Sequence, residues 1–330
     1  MDSGKINNLI KFCLTDLPGR QKEVVEGRYG LNGAAALTLA ELGDRYGLTR
    51  ERVRQIESIA LKAIAAKTKS ADFSNFLKNV SVVLRGAGGI KREDFLMEEV
   101  GGASLTNKVK FLLEVSGQIG RSGESNSLYP FWYLGEGDRK KAESFINNLV
   151  KSSNRDNFAA GFSAAAKQAG ISEAVARSYA SVSKKIALNV YGDLGLSEWE
   201  EINPKTSRDW AYLVLRKEKK PMHFTELAEA ITRLRNKPTH APTVHNELIK
   251  DDKFVLVGKG TYTLQEFGVN PGTARELIVH YLQKHGPLKA NDVVKMVLQE
   301  RIFKENTVLI NLQNRKHFKR LEDGRYTTLA

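Results

Sequence analysis

The sequence predicts a mainly α fold: a helix-turn-helix head followed by tandem winged-helix units with small β-hairpin wings. Three observations predict it. Apolar residues recur at helical spacing through most of the 330 positions. A pair of capped helical segments broken by a glycine stands near the start, at 38–64. Four aromatic, strand-like endings, at 129–134, 195–202, 260–264 and 324–329, then recur roughly 65 residues apart.

Composition bounds the possibilities. A chain that is 41% hydrophobic and 27% charged, with mean hydropathy −0.37, has material for two or more cores. No apolar run approaches the roughly 18 residues that a spanning helix needs, so a cytoplasmic protein with no membrane partner is expected. The single cysteine, Cys13, excludes an intramolecular disulfide and sits in the apolar spacing Leu9, Ile10, Cys13, Leu14, which reads as a buried small hydrophobe. Fifty-one Lys and Arg against 38 Asp and Glu leave a formal charge of +13. Folding does not require that excess; a polyanionic partner, with nucleic acid the first candidate, accounts for it.

The first motif is "TLAELGDRYGLTRERVRQIESIALKAI", residues 38–64. Thr38 is a suitable N-cap, and Glu41 three residues later completes a capping box. Leu39, Leu42 and Tyr46 share one face, and Gly47 can take the left-handed conformation that stops a helix. Thr49 then caps a second helix. Gly43 suits a steep helix crossing, and Leu42, Tyr46, Leu48, Val53 and Ile56 form the wedge of a helix-turn-helix. On a wheel, Val53, Ile56, Ala60, Ala63 and Ile64 point inward. The outward set is Glu51, Arg54, Gln55, Ser58 and Lys62, with Arg50 on the flank. Arginine can donate twice to guanine, glutamine can pair with adenine, glutamate can accept from cytosine, and lysine can neutralise phosphate. The candidate double-stranded-DNA contacts are therefore Arg50, Glu51, Arg54, Gln55, Ser58 and Lys62, with the caps Thr38 and Thr49 beside them.

Together with "LPGRQKEVVEGRYGLNG", this motif resembles region 4 of bacterial primary sigma factors across residues 6–66. The resemblance implies that the "TRERVRQIE" helix reads promoter-like DNA through Arg50, Glu51, Arg54 and Gln55, with Arg52 and Lys62 on the backbone. It also implies docking on the β-subunit flap of RNA polymerase. The aromatic-rich helical domain of a full sigma factor has no counterpart in the sequence, so initiation by this chain alone is not expected.

The later repeats supply the other domains. Boundaries are expected at 1–69, 70–136, 137–204, 205–268 and 269–330. Polar "KTKSADFS" (67–74) reads as a domain joint, and "GRSGESNSLYP" (120–130) as a long wing or disordered loop. In the last two units, three helical stretches precede hairpins "KFVLVGKGTYTL" and "HFKRLEDGRYTTL". Three helices and a hairpin in about 60 residues are a winged helix. Residues 207–266, through "PMHFTELAEAI", "TVHNELIKDD" and "FVLVGKGTYTL", resemble the HARE winged-helix domain found in the RNA polymerase delta subunit. Secondary basic surfaces are expected at His245, Asn246, Lys250 and Lys259, and at Arg315, Lys316, Lys319, Arg320 and Arg325.

No enzyme is expected. "RGAGGIKRE" (85–93) lacks the spacing of a phosphate-binding loop and reads as a turn between helices. The six histidines show no paired ligand spacing, so neither metal nor cofactor is expected. The sequence reads as a sequence-specific DNA-binding transcription factor that acts with RNA polymerase. Two alternatives stay open: a delta-like accessory subunit that binds mainly protein, and a DNA-targeting module of a modification or restriction system.

Overall fold

The computed structural model describes residues 2–269, 272–300 and 303–329. It is mainly helical, with small antiparallel sheets of two or three strands. The chain forms two compact units. The first comprises residues 1–188 with 192–197, the second 189–191 with 198–330.

In the first unit, α1 (Ser3–Leu14), α2 (Gly19–Tyr29), α3 (Leu39–Tyr46) and α4 (Arg50–Lys67) make the head. Then come α5 (Ala71–Gly86), β1 (Ile90–Arg92), α6 (Glu93–Gly101), α7 (Thr106–Ser116), β2 (Gly120–Ser122) and β3 (Phe131–Tyr133), and β3 lies between β1 and β2 in one sheet. Next are α8 (Glu136–Lys151), α9 (Phe158–Gln168), α10 (Glu173–Val182) and the pair β4 (Ile186–Leu188) and β5 (Leu194–Leu196). The helices start where polar caps allow. Ser70 accepts from the Phe73 amide and Ser172 from the Val175 amide, each satisfying a donor that the first turn leaves open.

One hydrophobic core runs from the head into the segment after it. Ile6, Ile10, Cys13 and Leu14 of α1 and Ala60 and Ile64 of α4 are buried with Phe73, Phe76 and Val80 of α5 and Val109, Phe111 and Leu112 of α7. Cys13 is thus a packed hydrophobe, and burial pushes its thiol up to about 11. Phe111 meets Tyr29 of α2 edge-on, with ring centroids 4.9 Å apart. Residues 67–74 are therefore a short link across a continuous core, because the apolar faces of α1 and α4 need the cover that α5 and α7 provide. Glu93 fastens the same region. Its carboxylate accepts from Arg121 (2.5 Å), Lys110 (3.2 Å) and Trp132 Nε1 (3.1 Å). Burial alone would raise this carboxyl, but the Arg121 hydrogen bond and the Lys110 and Arg121 charges hold it below the ordinary carboxylate range.

One segment differs from its sequence reading, and a second takes one of its two readings. Residues 85–93 are more than a turn between helices, since Ile90–Arg92 pair with Phe131–Tyr133 as a sheet strand. Residues 120–130 are ordered rather than a free loop: the Tyr129 amide donates to Val182 O and the Lys184 amide to Ser127 O, both at 2.8 Å. Neither pairing is visible locally, because each partner lies tens of residues away.

The second unit holds α11 (Ser207–Glu218), β6 (Met222–His223), α12 (Phe224–Arg235), α13 (Ala241–Lys250), β7 (Phe254–Gly258) and β8 (Thr261–Leu264). There follow α14 (Ala274–His285), α15 (Ala290–Glu300), α16 (Glu305–Leu312), β9 (Phe318–Arg320) and β10 (Tyr326–Thr328). Thr206–Asp209 and Thr273–Glu276 are capping boxes at the two leading helices. Each group buries its own cluster, one around Leu215, Leu227, Ile231 and Tyr262, the other around Ile278, Val293, Val297 and Phe318. One order recurs in residues 71–133, 207–264 and 274–328: a helix, a short extended piece, two helices and a hairpin. In each, the extended piece pairs with the last strand, through β1–β3, β6–β8 and the Leu288–Tyr326 bridge.

Deleting the Phe111 ring in the full chain (Phe111→Ala) is expected to cost about 3–5 kcal/mol of stability. Amide hydrogen exchange should then rise in α1 as well as in α7. A rise confined to residues 71–134 would show that the head has a core of its own.

Candidate nucleic-acid interface

Helices α3 and α4 are set by local chemistry at both ends. Thr38 Oγ1 accepts from the Glu41 amide (3.2 Å) while Glu41 accepts from the Thr38 amide (2.7 Å). Gly47 closes α3 at φ +66°, and the Leu48 amide bonds to Gly43 O at 2.9 Å. A Cβ on Gly43 would lie 2.6 Å from Leu48 O, so only glycine lets the turn fold this closely. Thr49 Oγ1 then accepts from the Arg52 amide at 3.2 Å and starts α4. Val24, Leu42 and Val53 close a small core, with Leu37, Leu39, Tyr46, Leu48 and Ile56 packed around it.

The stripe of α4 departs from the wheel at one position. Val53, Ala60 and Ile64 are fully buried, but Ala63 is exposed and Leu61 packs against the core in its stead. Both residues flank the stripe, and it is Leu61 that packs on the core and lines a groove with Glu114 and Val115 of α7. Sequence periodicity cannot tell which flank a distant helix will cover. Glu57, also outside the predicted set, is largely buried and lies 3.5 Å from Arg28 Nε. Arg28 in turn donates to Leu37 O at 3.0 Å, tying α2 to the segment before α3.

The outer face is open. Arg50, Glu51, Arg52, Arg54, Gln55 and Lys62 are exposed and Ser58 is half-buried. Arg54 grips Glu51 through two hydrogen bonds, at 2.8 and 2.7 Å, and Arg52 donates to Gln55 at 3.1 Å. The Arg54 hydrogen bonds hold the Glu51 carboxyl below the ordinary carboxylate range. These pairs are exposed and salt-screened, so they orient the side chains without adding much stability. Thr38 and Thr49 are exposed, and their hydroxyl oxygens already serve as caps. Beside this face runs an open groove of about 440 Å³, lined in part by Arg54, Ser58 and Lys62 of α4 and by Glu114 and Val115 of α7. The two α7 residues lie outside the head motif, and nothing in the sequence around them signals this placement.

The secondary basic positions divide. His245 is half-buried, stacked on Phe224 (centroids 4.4 Å apart) and edge-on to Tyr262 (5.7 Å), so it packs the hairpin rather than presenting a surface. Lys250 pairs with Glu247 at 3.4 Å, and Arg325 with Asp323 at 2.6 Å. Asn246, Lys259, Arg315, Lys316, Lys319 and Arg320 are exposed. Among the described residues no group of three His, Cys, Asp or Glu could hold a metal ion, and no helix is long and apolar enough to cross a membrane.

Comparison with known proteins decides what the head is. The family model of Sigma-70, region 4 matches residues 13–66, which span α2, α3 and nearly all of α4. Residues 13–66 are a Sigma-70 region 4 domain. The RNA polymerase sigma factor SigA of Listeria monocytogenes is 38% identical over 69 residues, 21% of this chain and 18% of that protein. SigA of Clostridium acetobutylicum shows the same identity over the same length. The sigma factor sigB of Arabidopsis thaliana is 38% identical over 64 residues, 19% of this chain and 11% of its own length. The chain thus spans less than a fifth of these relatives. The family match ends at residue 66, and the HARE resemblance over 207–266 gains no support from these comparisons.

The region 4 domain depends on the Thr49 cap to start its exposed helix. Thr49→Ala is expected to cost about 1 kcal/mol in chemical denaturation. It should also speed hydrogen exchange at the Arg52 amide. Unchanged exchange there would show that the first turn of α4 is held by something else.

Proposed function

We propose that this protein is a sequence-specific DNA-binding transcription factor that acts with RNA polymerase, its region 4 domain reading promoter-like duplex DNA. One observation carries the reading. The residues that suit base edges, Glu51, Arg54 and Gln55, stand together and exposed on the outer face of the second helix of a helix-turn-helix. Docked in a major groove, Arg54 and Gln55 exchange their contacts with Glu51 and Arg52 for contacts with bases. Glu51 accepts from cytosine, Arg50 joins the reading set, and Arg52 and Lys62 meet phosphates, with Ser58, Thr38 and Thr49 at the edges of the footprint. The relatives named as RNA polymerase sigma factors support polymerase as the protein partner, and the region 4 resemblance points to its β-subunit flap.

A second reading has its own support. Three helices and a hairpin, with an extended piece pairing to the last strand, are the order of a winged helix, and residues 207–264 follow it. With the HARE-like residues quoted above, this favours a delta-like accessory subunit that docks on polymerase mainly through protein. Capture of the full chain by isolated β-flap, unaffected by Arg54→Ala, would favour this reading if duplex binding were also weak.

Arg54→Ala and Gln55→Ala are each expected to weaken binding to a matched promoter duplex by about 1–3 kcal/mol, with little change on a scrambled duplex. Fluorescence anisotropy on both duplexes measures this. Equal affinities for matched and scrambled DNA before and after the changes would overturn the readout.

A further inference from the structure

We infer that the hairpin end of residues 274–329 is a second, sequence-independent phosphate-binding surface for duplex DNA. The region 4 helix takes no part in it. The observation behind it is where cations stand unpaired. Several other marked basic positions are spent: Lys250 on Glu247, Lys253 on Glu200 at 2.6 Å, Arg325 on Asp323, and His245 in an aromatic stack, while Lys259 stands exposed on its own hairpin. Arg315, Lys316, Lys319 and Arg320 are all exposed, and none makes an ion pair among the described residues. Four free cations within six residues repel one another, a cost that folding does not require and that an anion relieves.

Ordered backbone places them. Asn314 Oδ1 accepts from the Lys316 amide (3.1 Å), and Asn314 O accepts from the His317 (3.0 Å) and Phe318 (3.1 Å) amides. This folds the turn after α16 so that the chain enters β9 directly. Phe318 is buried and anchors the strand, and β10 pairs along it with Thr327 opposite Lys319 and Tyr326 opposite Arg320. Arg275, exposed on the first turn of α14, lies 3.2 Å from His317 Nε2 and adds a fifth cation to this edge. Nearby acids do not cancel the charge. Asp323 is held by Arg325 and Glu276 by the Thr273 amide, leaving Glu322 exposed in the hairpin turn.

The chemistry points to phosphates rather than bases. Two of the amides beside these cations are engaged locally, Asn311 Nδ2 by Thr307 O at 2.8 Å and Asn314 Oδ1 by the Lys316 amide. The cations outnumber these amides and sit on the turn and on both faces of a short strand, which suits contact with a duplex backbone and release of its counterions.

The test uses the full chain with R315Q/K316Q/K319Q/R320Q, and a charge-matched control, K140Q/K141Q/K151Q/K167Q, at exposed lysines of α8 and α9. Thermal melts confirm that both fold. Anisotropy on matched and scrambled duplexes is followed from about 50 to about 200 mM salt. The hairpin variant should lose roughly tenfold or more affinity on both duplexes, with the salt slope shallower by about 0.9 for each phosphate no longer neutralised. Its matched-to-scrambled ratio should equal that of the unaltered chain, so failure of base reading and failure of this surface are distinguishable. Unchanged slope and scrambled affinity would overturn the inference. So would an equal loss in the control, or loss of binding to phosphatidylglycerol vesicles with duplex binding intact.

Discussion

Helix α4 has to pack into two separate apolar clusters and still keep a free side, and much of the first unit follows from that division. Its first turns close on α3 through Val53 and Leu42, and its later turns on α1, α5 and α7 through Ala60 and Ile64. Burial of these apolar residues, each on the order of 1–3 kcal/mol, fixes the helix against rotation. With rotation fixed, the polar face has nowhere to go but solvent. The exposure of Glu51, Arg54 and Gln55 is thus a consequence of packing on the opposite side.

Charge is organised in two ways. Near the core's edge, Glu93 takes Arg121, Lys110 and Trp132, so a largely covered carboxylate keeps its hydrogen bonds. At the surface charge is loosely paired or free. The Glu51–Arg54 and Arg52–Gln55 contacts orient side chains that water or a ligand can take over. Around Arg315 to Arg320 even such partners are missing among the described residues, and part of the chain's basic excess is concentrated there.

Much of the head was legible because its signals are local. A capping box needs residues three apart, a left-handed stop needs a glycine, and a helix face needs only a period, so Thr38, Glu41, Gly47 and Thr49 announce both helices. The same holds for the hairpins at 254–264 and 318–328, where short extended runs flank a glycine-containing turn. The errors share one cause. Ala63 and Leu61 have equal claims on the stripe until the core closes on Leu61. His245 looks like a surface cation until Phe224 and Tyr262 close on it. Residues 90–92 look like part of a turn until β3 arrives from forty residues away.

By itself, then, the sequence determined the helical class, the ends and turn of the helix-turn-helix pair, the sigma-like identity of residues 13–66, and the basic excess, because each rests on neighbours in the chain or on composition. The tertiary structure decided which flank of α4 is covered, that the core runs across residue 69 into α5 and α7, and which cations are spent in pairs. Those outcomes depend on contacts between residues far apart in the chain, which side-chain periodicity cannot encode.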